Sequence, residues 1–249
     1  MDLNADLGEG FGIWRLGDDQ ALLDLVTSAN VACGFHGGDP PTMRRVCAAA
    51  AERGVAVGAQ VGYRDLAGFG RRHIAYEFAE LRDEVTYQLG ALEAFCRLVH
   101  SRIRYLKPHG ALYHAAACDE AQAAALVAAV SGYDHELPIL CAPGSVLAQL
   151  AVGAGLRVVA EGFADRNYLP NGSLVPRTAA NALVTDPEEV ADRAVRMAIE
   201  RTVVAIDGRV VPCHVESICL HGDTPGAVAS AALVRAALLD AGVTLSPFA

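Results

Sequence analysis

Three apolar, strand-like runs in this chain end in the same dipeptide, His-Gly. Ala29–Cys33 leads to His36-Gly37, Ile103–Leu106 to His109-Gly110, and Ser217–Leu220 to His221-Gly222. A fourth run, Asp2–Asp6, ends in a carboxylate. Stiff strands that each deliver a proton-active side chain to a loop are what the open face of a parallel sheet or barrel provides. The repetition favours a fold in which several strand ends share one rim. It also points to an active site there rather than to a plain scaffold.

Between these runs the apolar pattern changes to helical spacing. Strands are expected over Asp2–Asp6, Val31–Cys33, Val55–Ala59, Ile103–Leu106, Ile139–Ala142, Leu156–Ala160 and Ser217–Leu220. Helices are expected over Asp18–Ser28, Pro40–Arg53, Phe78–His100, Asp119–Val130, a run from Ser145, Pro187–Arg201 and Pro225–Ala241. In the third of these, Leu81, Val85, Leu89, Leu92 and Cys96 recur at i+3/i+4 and mark a buried face. Pro40 and Gly54 bracket the second in the usual helix asymmetry. Val203–Ile206 and Arg209–Val211 flank Asp207-Gly208, a hairpin-turn signal. The strands are short, Val/Ile-rich and weakly alternating, as parallel strands covered on both faces are. About seven βα units result. A single TIM-like (β/α) barrel over residues 1–249, closed or nearly so, is the first expectation, and an open doubly wound sheet the second. Long loops are expected over Gln60–Arg72 and Glu161–Arg177, both Gly-rich and polar, and such loops usually carry function.

Of the 249 residues 53% are hydrophobic, enough for a large core in one domain. The net charge of −9 argues against nucleic acid or an anionic membrane as the main partner. No apolar run approaches the roughly 20 residues of a membrane span, and no secretory signal is visible, so the cytoplasm is the expected compartment. Seven scattered cysteines without a CxxC read as reduced, buried thiols, with Cys213 and Cys219, near His214 and His221, the candidates for reactivity. No GxGxxG follows the first strand and no GxxxxGK[ST] occurs, so no nucleotide-binding motif is present.

Five segments concentrate the chemistry. Asp6-Leu7-Gly8-Glu9 sets two carboxylates in a Gly-rich loop, where they can act as acid and base or hold a divalent metal. His36 follows a strand amid glycines, and Asp39 before Pro40 reads as a helix cap. Lys107-Pro108-His109-Gly110 is the densest cluster, combining a cation for a developing negative charge with a proton carrier, in a loop that Pro108 and Gly110 shape. His114 reads as lying outside the site. Asp165-Arg166, Arg177 and Arg71-Arg72 offer charge for an anionic group or form structural ion pairs. His221-Gly222-Asp223-Thr224-Pro225 places an imidazole beside a helix start, with Asp223 or Thr224 as cap.

Taken together, DLNADLGEG, SANVACGFHGGD, GFGRR, KPHGALY, ADRNY, LVPR and HGDTPGA resemble the LamB/YcsF family in order and spacing, from Met1 to about Val243. The resemblance implies a barrel of the glycoside hydrolase/deacetylase type. It implies a place as the first of three components of an ATP-dependent 5-oxoprolinase, opening 5-oxo-L-proline to L-glutamate with partner subunits B and C. ATP would be handled at least partly by those partners. In that role Asp6, with Glu9 as deputy, activates water, His36 and His109 move protons, and Lys107 holds the negative oxygen. Arg71, Asp165, Arg166, Arg177 and His221 are the substrate-binding candidates, with Arg166 or Arg177 on the substrate carboxylate. Related deacetylases bind a divalent metal through Asp and His at such strand ends, which makes Asp6 and His36 the candidate ligands here. Family members commonly carry Gly-Ala-His-Pro after the third strand, whereas this chain has Gly58-Ala59-Gln60-Val61. Gln60 is a poor substitute for an imidazole, so a metal would need His109 or Glu9 as well. Two rival readings are a stand-alone metal-dependent amide or ester hydrolase and a substrate-binding subunit that breaks no bond.

Overall fold

Every residue of β1 (Asp2–Leu7) is buried, yet the strand alternates strictly between two environments. Leu3, Ala5 and Leu7 pack into the apolar layer beneath the helices. Asp2, Asn4 and Asp6 point the other way and bond across to residues far along the chain. That second environment is the lumen of a closed barrel.

The computed structural model describes residues 1–223 and 226–249. Six further parallel strands complete the barrel: β2 (Ser28–Ala32), β3 (Ala56–Val61), β4 (Tyr105–Pro108), β5 (Ile139–Cys141), β6 (Val158–Phe163) and β9 (Ser217–Leu220). Their order is β1-β2-β3-β4-β5-β6-β9, and β9 pairs with β1 in parallel from Asp2↔Ser217 to Ala5↔Leu220. That pairing leaves the barrel no edge and excludes the open doubly wound alternative. The short β7 (Thr202–Val204) and β8 (Val210–Pro212) form a separate antiparallel ribbon, the hairpin expected around Asp207-Gly208. The helices are α1 (Asp19–Leu23), α2 (Pro40–Arg53), α3 (Phe78–Leu98), α4 (Gly110–Cys118), α5 (Glu120–Tyr133), α6 (Val146–Gly153), α7 (Pro187–Ile199) and α8 (Ala227–Asp240). Among the described residues no helix is long and apolar enough to cross a membrane.

Helix limits follow local chemistry. Asp39 caps α2 by accepting from Thr42 N at 3.1 Å, and Gly54 ends it at φ 66°, a left-handed conformation that glycine adopts without strain. Ser145 and Asp186 cap α6 and α7 in the same way. The apolar face read from α3 is buried as expected, and Leu89 at its centre is 0% exposed. Truncating such a leucine to alanine costs roughly 2–5 kcal/mol.

Several expectations shift. The helix expected over Asp18–Ser28 stops at Leu23, because Ser28 already belongs to β2 and bonds Asp2 of the adjacent β1. Lys107 and Pro108 finish a strand rather than open a loop. Helix α4 starts at Gly110 directly after it, with His109 as its cap residue. β6 runs on to Phe163, so Glu161 stands in the barrel wall and not in a loop. Gly226, rather than Asp223, is the cap residue of α8, and Thr224 and Pro225 lie outside the described residues.

The lumen is polar, unlike the layered apolar filling common in such barrels. Ser28 and Ser217 donate to Asp2, and Asn4 donates to Ser217 Oγ at 2.7 Å. Asn30 donates to both Asn4 Oδ1 and Asp6 Oδ1, while the Tyr105 hydroxyl donates to Asn30 Oδ1 at 2.6 Å. Each buried group satisfies the next, and the ladder ends on the side chains at the carboxyl rim.

Candidate active site

Lys107 is the only lysine in the chain, and it is buried. Its Nζ donates to Asp6 Oδ1 at 3.1 Å, Cys219 Sγ at 3.1 Å and Asn4 Oδ1 at 3.4 Å, and it lies 2.7 Å from Glu161 Oε1. Burial pulls its pKa down, but the carboxylates of Asp6 and Glu161 reverse the balance and hold the ammonium charged. Burial pushes Asp6 up, yet Lys107, His221, His109 and the Asn30 hydrogen bond together outweigh it and keep the carboxyl well below the usual range. Both hydrogen bonds to Asp6 fall on Oδ1, from Asn30 and Lys107. No donor among the described residues reaches its Oδ2.

A cleft of about 870 Å³ opens above this pair. Asp6, Lys107, His109 and His221 reach it from the ends of β1, β4 and β9, and Arg71, Arg166 and Arg177 reach it from the loops. His114, read as outside the site, also lines it. Glu9, His36 and Asp165 do not; they lie behind the cleft wall as buried partners of residues that do.

His36 is fully buried and stacks on His109. The loop after β3 closes over both rings at Gly70, φ 66°, where a Cβ would meet His36 Cβ at 2.9 Å and His109 Cδ2 at 3.0 Å. Gln60 ties the two histidines to Glu9. Its Oε1 lies 3.2 Å from His36 Nε2, and its Nε2 lies 3.1 Å from His109 Nδ1 and 3.3 Å from Glu9 Oε1. These partners assign a proton to His36 Nε2 and leave His109 Nδ1 as an acceptor, while His109 Nε2 donates to Phe69 O. Burial pushes both imidazoles down, His109 to about 4. Burial, with Asp6 and Asp223 nearby, pushes Glu9 well above the carboxylate range. Asp6 and Glu9 are thus driven apart, one ionised and one protonated at the same pH, the separation that lets two carboxyls take base and acid roles.

Glu9, His36 and His109 each offer a ligand atom within 4.8 Å of the others. Asp6 is not in that group. The Gln60 amide sits among the three and hydrogen-bonds each of them, at His36 Nε2, His109 Nδ1 and Glu9 Oε1, while His36 Nδ1 is buried without a partner. Because the amide already binds one facing atom of each residue, the donor set does not call for a metal, and no chemical step is drawn through one.

The remaining candidates separate clearly. Asp165 accepts from His221 Nδ1 at 2.8 Å and from its backbone N at 3.1 Å, so it orients the ring and leaves Nε2 toward the cleft. Arg166 donates to Val175 O at 2.6 Å and Ala182 O at 3.2 Å; its guanidinium braces the loop before α7 instead of reaching for an anion. Arg71 and Arg177 converge on Asp223, at 2.6 and 3.4 Å, across the cleft mouth. Arg72 pairs with Asp65 and steadies its own loop. All cysteines are free, and burial keeps Cys219 a thiol. Glu161, Asn4 and Asn30 were not singled out from the sequence. A charged residue within the apolar run Val158–Phe163 was the available signal for Glu161.

The LamB/YcsF family pattern matches residues 1–249. The chain belongs to the LamB/YcsF family. LamB/YcsF relatives named as the A subunit of 5-oxoprolinase include that of Mycolicibacterium gilvum, 56% identical over 248 residues, covering 100% of this chain and 98% of the relative. That of Streptomyces avermitilis is 57% identical over 249 residues, covering 100% of both. The crystal structure of a lactam utilization protein from Thermus thermophilus superposes with a TM-score of 0.95 at 45% identity, over 100% of this chain and 99% of that one. A family 4 carbohydrate esterase from Streptomyces lividans shares only the barrel, with a TM-score of 0.52 at 11% identity, over 100% of this chain and 92% of the esterase.

Proposed function

We propose that this LamB/YcsF chain opens 5-oxo-L-proline to L-glutamate as the A subunit of a cytoplasmic, ATP-dependent 5-oxoprolinase, together with partner subunits B and C. Full-length similarity to proteins named for the same 5-oxoprolinase component and to a lactam utilization protein supports the substrate class. The observation that carries the chemistry is Asp6: ionised, with Oδ2 unbonded, beside the buried Lys107 ammonium on the cleft floor.

A five-membered lactam resists water because its amide is resonance-stabilised and its nitrogen leaves poorly. Phosphorylating the amide oxygen with ATP removes that resonance, and we assign this step to the partner subunits. Water then adds to the ring carbon, and Asp6 takes its proton. Lys107 stabilises the charge that gathers on oxygen. The C–N bond breaks, its electron pair goes to nitrogen, and His109 and His221 line the route by which nitrogen gains a proton. The resulting acyl phosphate takes a second water and releases phosphate and glutamate. Arg71 and Arg177 are placed to receive the substrate carboxylate at the mouth.

The decisive experiment is single turnover with Asp6→Asn in the reconstituted three-subunit complex. Glutamate formation is expected to fall by about a hundredfold or more. A wild-type rate would remove Asp6 from the chemistry.

A further inference from the structure

Glu161 takes no part in the reaction as proposed above, yet its position implies one. Its side chain is fully buried in β6, and it does not line the cleft. It shares one ammonium with Asp6: Lys107 Nζ lies 2.7 Å from Glu161 Oε1 and 3.1 Å from Asp6 Oδ1. Asp6 alone would neutralise Lys107. A second buried carboxylate is unfavourable unless it does something the first cannot. Burial holds Glu161 above the usual carboxylate range even beside the ammonium.

Lysine is a compact charge on a flexible stem, and it moves toward whatever anion pulls hardest. With Asp6 as its only charged partner, the ammonium would settle over both Asp6 oxygens and occupy Oδ2, the oxygen left without a hydrogen bond. Asn4 and Cys219 supply only neutral acceptors against that pull.

We infer that Glu161 is a positioning residue for ring opening, holding the Lys107 ammonium aside so that Asp6 Oδ2 stays free and the ammonium stays aimed at the developing oxyanion. The inference rests on the ring-opening function proposed above. Glu161 acts through Lys107 and touches no reacting atom.

Because Lys107 is the only lysine, protein labelled with 13C and 15N at lysine Cε and Nζ gives a single ammonium signal. Glu161→Gln is expected to shift that signal. Sites competent to bind 5-oxo-L-proline are counted by calorimetry on the full chain, and turnover per competent site is measured with the partner subunits. Glu161→Gln should lower that turnover roughly tenfold to a hundredfold, the cost of misplacing a catalytic group by about an ångström, with KM within about twofold. Glu161→Asp should restore part of it. An unshifted Lys107 signal overturns the inference, as does wild-type turnover per site in Glu161→Gln. Loss of 5-oxo-L-proline binding in both variants also overturns it and makes Glu161 scaffold. Asp6→Asn separates the two readings: an active Asp6→Asn removes Asp6 from the chemistry proposed above, on which this inference rests, whereas an inactive one beside a fully active Glu161→Gln removes only the role of Glu161.

Discussion

The imidazoles of His36 and His109 stack face to face, 3.9 Å between centroids and 7° from parallel. Two imidazolium ions could not share that geometry in a buried site, and burial keeps both rings neutral.

A pH dependence of stability follows. His109 titrates near 4 when folded and near about 6.5 when unfolded, so the unfolded chain binds more protons between these values. Its contribution is complete above the unfolded value and is lost as pH falls toward 4. Between pH 6.5 and 5 the loss is about 1–2 kcal/mol from this ring alone. Urea unfolding across this range should show a shallower decline for His109→Gln than for wild type. Parallel curves would contradict the neutral stack.

Lys107→Met leaves Asp6 and Glu161 buried without their shared cation. Breaking such a pair from one side costs about 3–5 kcal/mol. The deficit should shrink as the medium is acidified, because both carboxyls then become neutral on folding. Denaturant midpoints at neutral pH and near pH 4.5 provide the check, and equal deficits at the two would contradict the shared charge. Glutamate formation should be lost at either pH.

Two arginines that look alike in sequence should fail differently. Arg177→Ala removes a cation from the cleft mouth, so KM for 5-oxo-L-proline should rise roughly tenfold while the melting temperature holds. Arg166→Ala leaves the Val175 carbonyl unpartnered, at about 1–3 kcal/mol, and the Ala182 carbonyl with only the Asn167 N–H. Its effect should appear in thermal melts, with KM of the folded fraction little changed. The reverse pattern would reassign the carboxylate site to Arg166.

Gln60 should stand in for a cation. The purified chain, dialysed against chelator, should hold far less than one transition metal per molecule, and excess zinc or manganese should leave its melting temperature unmoved. Gln60→Leu strands His36, His109 and Glu9 at once and should cost roughly 1–3 kcal/mol in urea unfolding. A stoichiometric metal that survives dialysis would show that the amide arrangement is not the resting one.

Much of the framework was legible because it is local. Asp39, Gly54, Ser145 and Asp186 punctuate helices through contacts within a turn or so, and α2 and β9 begin and end where these signals and the apolar runs say. The His-Gly strand ends likewise announced a shared rim. Helix α4 was harder to see, since Lys107-Pro108-His109-Gly110 carries loop-like residues at a junction where a strand passes directly into a helix.

The sequence by itself determined that strands and helices alternate, where most of them stop, and which proton-active side chains stand at strand ends. The tertiary structure alone decided what those side chains meet. Asp6 and Lys107 are 101 residues apart, and only closure of β1 onto β9 sets them, with Glu161, around one buried point. A helix cap is settled by its own turn of chain. The charge, exposure and aim of a lumen residue depend on every strand that faces it, and no single stretch of sequence contains them all.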